Sequence, residues 1–167
     1  MTDLPTARLE LPLLQPGQAQ KEMYHNEALA RLDLAVQASV TAIGAVTPPP
    51  DPIPGDCWIL GAAPIGEWAG RAGAVAGWTP GGWRFVAPRE GLRAWVEESR
   101  AFALFSEGNW TVGETRGVVI VDDVQVVGPQ ADAIDDPAGG TVADAEARAA
   151  IASILGALRG HGLIAAG

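Results

Sequence analysis

The sequence predicts an α+β protein: an N-terminal amphipathic helix, a small antiparallel Trp-rich β-domain in a meander or barrel, and a C-terminal amphipathic helix. Three observations carry this reading. Apolar residues recur at helical spacing near both ends of the 167-residue chain. Between them lie short β-prone runs separated by Gly and Pro turn signals. Glycine (21) and proline (13) are too frequent for a continuous helical bundle.

Residues 1–46 form the N-terminal segment and helix. After Pro5, Pro12 and Pro16 no proline interrupts residues 18–43, and Leu29, Leu32, Val36, Val40 and Ile43 stand three or four apart. This spacing predicts a helix over roughly 18–43. The stripe at Leu29, Leu32, Val36 and Ile43 is nearly heptad, which suits packing against copies of the chain. Packing on the chain's own sheet fits equally well.

Residues 47–55 (Thr47-Pro-Pro-Pro-Asp-Pro-Ile-Pro-Gly) stop the helix and read as an extended linker. A stiff spacer explains them more simply than a polyproline ligand. Residues 56–128 form the β-domain, with strands expected at 57–60, 75–78, 83–86, 92–96, 102–105, 118–121 and 124–127. No crossover helix fits between these runs, so antiparallel pairing is expected and a parallel sheet is excluded. A loop at 129–140 leads to the helix and tail at 141–167. Thr141 is its expected cap, with Asp144 favouring the positive end of the dipole. Its stripe is Ile151, Ile154, Leu155 and Leu158. Set beyond an Asp/Gly/Pro loop, this helix is expected to be an attachment element.

Charge narrows the function. Twenty acidic residues against 11 basic give a net charge of -9, which opposes nucleic-acid and anionic-membrane partners. With 48% hydrophobic and 19% charged residues, the chain is no disordered acidic tail. The single cysteine, Cys57, cannot form an internal disulfide, and His25 and His161 belong to no metal-ligand spacing. The first residues hold no basic region followed by an apolar core and no apolar run nears the ~20 residues of a membrane span, so no secretory leader and synthesis in the cytoplasm of the producing cell are expected.

The densest polar cluster, Gln18, Gln20, Lys21, Glu22, His25, Asn26 and Glu27, is the candidate docking surface. Glu22 and His25 share a helix face as in di-metal carboxylate bundles, but such a site needs further carboxylates from other helices. A docking surface, or a hydrogen-bonded network tying helix to sheet, fits better. Asp122-Asp123 and Asp135-Asp136 do not suggest a glycosidase pair, because adjacent strand side chains point to opposite faces. No nucleophile elbow, phosphate loop or dinucleotide fingerprint is present. No enzymatic activity, cofactor or metal is expected. All six tryptophans lie in the β-domain; they suit its core, and Trp68, Trp78 and Trp83 are the candidate glycan platform.

The run Leu11-Pro-Leu-Leu-Gln-Pro-Gly-Gln-Ala-Gln-Lys-Glu-Met-Tyr-His-Asn-Glu-Ala-Leu resembles the opening of a phage and prophage domain family of unknown function. Gly55-Asp-Cys-Trp-Ile-Leu, Gly66-Glu-Trp-Ala-Gly, Gly82-Trp-Arg-Phe and Pro88-Arg-Glu-Gly extend the resemblance over about 11–110. The tail, with Asp144-Ala-Glu-Ala-Arg-Ala-Ala-Ile and His161-Gly-Leu-Ile, resembles a terminal segment of fibre and tail proteins from phages and gene transfer agents. The resemblance implies a virion structural component of head-spike or tail-fibre type. It assigns no catalytic residues. Two functions follow as expectations: a connector joining a capsid or tail protein to a host-attachment fibre, or a glycan-binding module contacting recipient surface polysaccharide. The apolar stripes add the expectation of a homo-oligomer, trimer preferred and pentamer second, displayed on the surface of a virus-like particle.

Overall fold

Helix α1 (Lys21–Ala35) stops well short of Ile43. The Val36 N–H still donates to Leu32 O, but Gln37 takes a positive φ of 46° that breaks the helical path. Beyond it Val40, Thr41 and Ile43 are β-branched and favour extended backbone. They fall in strands β1 (Ser39–Val40) and β2 (Ala42–Ala45) and at the corner between them. The expected amphipathic helix over 18–43 is therefore corrected: its apolar spacing runs across a helix and two strands. Within α1 the buried residues are Asp33 and Leu34, whereas Leu32 is 50% exposed. Val36, just past the helix, is exposed too. The stripe of Leu29, Leu32 and Val36 is not the packed face.

A computed structural model describes residues 5–15, 17, 21–127, 129–136, 138 and 144–165. They fall into two units, 1–114 and 115–167, so the β-domain expected over 56–128 is divided between them. The first unit holds two four-stranded sheets, ordered β1-β6-β7-β8 and β2-β3-β4-β5. Their remaining strands are β3 (Cys57–Leu60), β4 (Val75–Thr79), β5 (Gly82–Val86), β6 (Arg93–Val96), β7 (Ala101–Ser106) and β8 (Asn109–Val112).

The chain changes sheet at Thr41, whose N–H donates to Cys57 O. Before this corner β1 runs parallel to β6; after it β2 runs parallel to β3. The other pairings in these sheets are antiparallel. A single antiparallel meander or barrel is thus overturned, and so is the exclusion of parallel strands. Parallel neighbours need a crossover of about a dozen residues, and the Pro-rich stretch between β2 and β3 supplies one without a helix.

The register gives the second sheet two unlike faces. Cys57, Ile59 and Val75 join Leu34, Ala38, Val40, Ala94, Val96 and Ala103 in the larger core. On the opposite face Leu60 and Ala76 pack with Trp68, from a single 3-10 turn at Gly66–Trp68, and with Trp58, Trp83 and Phe85.

The second unit contains hairpin β9 (Val119–Val121)–β10 (Val124–Val127) and helix α2 (Ala145–Gly160). Asp122 and Asp123 form the hairpin turn with positive φ angles of 49° and 61°, a conformation that Asp tolerates. Asp144 caps α2 by accepting from the Ala147 N–H at 2.8 Å; the expected cap, Thr141, lies outside the described residues. Leu155 and Ile164 are buried, Ala131 bridges Ile164, and Arg159 meets Asp136 at 2.9 Å. The helix is therefore anchored to the loop that precedes it. Among the described residues no helix is long and apolar enough to cross a membrane.

Candidate functional site

The polar cluster at the start of α1 divides into structural and exposed members. Asn26 clamps the N-terminal segment: its side-chain carbonyl accepts from Leu14 N–H at 2.9 Å, and its amide donates to Leu14 O at 3.0 Å. Glu27 accepts from Arg84 Nε on β5 at 2.6 Å and from Arg31 Nε, one helical turn on, at 2.9 Å. Burial pulls its carboxyl upward, yet the hydrogen bonds from Arg84 and Arg31 outweigh this and hold it below its ordinary value. Glu22 accepts from Gly17 N–H at 3.4 Å. Lys21 and His25 stay exposed, with His25 Nδ1 2.8 Å from Lys21 O. Gln18 and Gln20 lie outside the described residues. Exposed Met23 and Tyr24 adjoin them, so the accessible surface here is mixed rather than polar. Among the described residues no three His, Cys, Asp or Glu side chains gather where a metal ion could be held.

Sequence reasoning missed the strongest polar anchor. Asp33 is 3% exposed and accepts from Thr6 Oγ1 at 2.7 Å, Arg8 N–H at 3.1 Å and Leu9 N–H at 2.7 Å. These donors satisfy a carboxylate that would otherwise be costly to bury. Arg8 in turn donates to the backbone oxygens of Asp33 and Gln37, at the negative end of α1. The available signal was an aspartate standing between Leu32 and Leu34.

The tryptophan platform is corrected at its centre. Trp68 is 0% exposed and packs edge-on against Trp83 at 5.1 Å and 81°. Trp78 and Trp83 are half-buried and also meet edge-on, at 5.0 Å and 62°. The three rings present no flat shared surface for a sugar face to cover.

A different feature concentrates charge. Between α1 and the end of β5 runs a groove of about 770 Å³. Leu32, Val86 and Pro88 supply apolar lining, and Arg31, Arg71 and Arg89 stand around it. Arg84 adjoins it through a hollow that also contains Glu27. The Arg71 guanidinium lies over the Phe85 ring, 5.1 Å from its centroid. These arginines are far apart in sequence, so no local pattern marks them.

The architecture defines the first unit as an α+β domain of two four-stranded sheets joined at the corner between β1 and β2, with a helix packed on the second sheet. Residues 25–111, just over half of the chain, match the family described as a protein of unknown function (DUF2793), and the chain belongs to that family. No curated protein and no solved structure matches it.

Proposed function

We propose that the protein is a structural component of a phage-like particle, a homo-oligomeric connector between a capsid or tail protein and a host-attachment fibre. The observation that carries this reading is the apolar surface of the second unit. All three β9 residues are exposed, Ile120 by 59%, and Val124 on the facing strand is exposed as well. Successive strand residues point to opposite faces, so the hairpin offers apolar side chains on both. A two-stranded hairpin is marginal alone in water, and apolar surface on both faces calls for neighbours. Further copies of the chain around a symmetry axis meet that need, and the fibre resemblance favours three copies over five.

The test uses particles purified from producing cells with and without the chain, compared by mass spectrometry and imaging. The reading expects the chain on the particle surface in fixed stoichiometry, and loss of a fibre when it is deleted. Particles that lack the chain, or that keep every fibre without it, overturn the reading. Light scattering on the isolated protein adds the copy number, expected to fall to one in Ile120→Asp.

A further inference from the structure

We infer that the arginine-lined groove beside β5 binds an extended acidic peptide segment of a partner protein by adding it as a strand to the sheet. This is independent of the connector role, which rests on the second unit.

Three features of the groove converge on that ligand. The first is its charge. The chain is acidic overall, yet Arg31, Arg71, Arg84 and Arg89 surround the groove and its neighbouring hollow, with Glu27 the one carboxylate lining either among the described residues. Glu27 is taken up by Arg31 and Arg84. Among the described residues Arg71 and Arg89 form no ion pair, and the planar Arg71 guanidinium lies over the Phe85 ring. A planar guanidinium suits a carboxylate, which it can grip with two parallel hydrogen bonds.

The second feature is the backbone. β5 is the last strand of its sheet, so its outer edge meets no strand among the described residues. Leu60 N–H donates to Ala74 O and Trp78 N–H to Asp56 O, which turns the backbone of Ala74, Ala76 and Trp78 toward β3. Val75 and Gly77 therefore face β5, and their partners Val86 and Arg84 face back. The N–H groups of Trp83 and Phe85 and the Phe85 C=O are left pointing outward, while the Trp83 C=O accepts from Arg84 Nη1 at 3.1 Å. An open edge of this kind is where an extended peptide can add as a further strand.

The third feature is the apolar lining of Leu32, Val86 and Pro88, which accepts alternate side chains of such a strand. An acidic sugar fits less well. Its usual partner is an open aromatic face, whereas Arg71 covers the Phe85 ring and Trp83 is packed edge-on against Trp68 and Trp78.

The probe is a fluorescein-labelled, end-blocked octapeptide of alternating valine and aspartate, titrated into the full-length chain by anisotropy. Saturable binding is expected, weakening with salt, together with shifts of the Trp83 and Phe85 amide resonances. The double variant Arg71→Ala/Arg89→Ala should bind about tenfold or more weakly, because it removes two guanidinium donors of charge-assisted hydrogen bonds. Arg93→Ala, on the other sheet, should bind as the parent does. Absence of saturable binding, or equal binding by the double variant, overturns the proposal. So does an oligogalacturonate that binds as tightly as the peptide, which would assign the groove to acidic sugars instead.

Discussion

The Leu34 side chain fills the space that any side chain at Gly77 would need. A Cβ placed on Gly77 would lie 2.2 Å from Leu34 Cδ2 and 2.7 Å from Cδ1. Helix α1 thus sits as close to β4 as a bare backbone permits, and this approach sets the depth of the larger core. Gly77→Ala is expected to destabilise the first unit by about 3 kcal/mol through overpacking. The denaturation midpoint in urea measures it. Pairing the change with Leu34→Ala should cost less than the two single changes added together, because each relieves the clash or void of the other. Simple additivity would show that the helix can lift away freely.

Asp33→Ala is expected to release the N-terminal segment from α1. It removes the acceptor of the Thr6 hydroxyl and of the Arg8 and Leu9 N–H groups, leaving partly buried donors without a partner. The cost should be about 2–4 kcal/mol, as for loss of a buried charged acceptor. Trypsin should then cleave after Arg8 sooner than in the parent protein, a change readable by mass spectrometry. Unchanged cleavage would show that the Asn26–Leu14 clamp alone holds the segment.

Some of this architecture was legible in the sequence and some was not, for identifiable reasons. The runs around Trp58, Trp78, Trp95 and Val119 announce strands because aromatic and β-branched residues cluster between turn signals. Leu29 to Ile43 misleads because apolar residues three and four apart satisfy a helix template even where the chain is extended. Nothing in Gln37 advertises a positive φ, and without that break β1 and β2 cannot be seen. Both parallel pairings disappear with them. Strand β8 escapes notice because it is short and opens on Asn109, directly after the turn-forming Gly108. Asn26 and Glu27 were legible as a polar cluster, but their partners Leu14 and Arg84 are set by tertiary approach. The groove arginines share only their position around β5, which topology determines.

Cys57 links burial to pH. Burial pushes its thiol up from an ordinary 9.0 to about 11, with Arg8 opposing and the carboxylates of Asp33 and Asp56 reinforcing. Above about pH 9 the unfolded chain releases this proton while the native protein keeps it. The Cys57 contribution to stability is therefore complete below about pH 9 and is lost as pH rises toward 11. The loss should reach about 2 kcal/mol, from roughly two pKa units of difference. Comparison with Cys57→Ala between pH 8 and 11 isolates it, since the variant lacks this slope. Matching slopes would show that the folded thiol ionises as readily as the unfolded one. Native protein should also resist iodoacetamide at pH 8 until denatured.

The stripe of α2 separates into two roles, and two neighbouring substitutions tell them apart. Leu155 is 5% exposed, and the chain after the helix returns with Ile164 buried and bridged to Ala131. Leu155→Asp should therefore unfold the second unit, by about 3 kcal/mol or more, because a carboxylate would enter an apolar site without a partner. Ile154, one position earlier, is 59% exposed, and Ile151 on the same helix is exposed too. Ile154→Asp should leave the helical circular-dichroism signal intact, since the change lies on an open surface. Its effect is expected in assembly: fewer copies per oligomer by light scattering, and less of the chain on purified particles. The contrast matters more than either result. If both variants lose helicity alike, Ile154 serves the fold of its own unit. If Ile154→Asp folds and assembles as the parent does, α2 contributes nothing to attachment, and the exposed hairpin at Val119–Val121 must carry it alone.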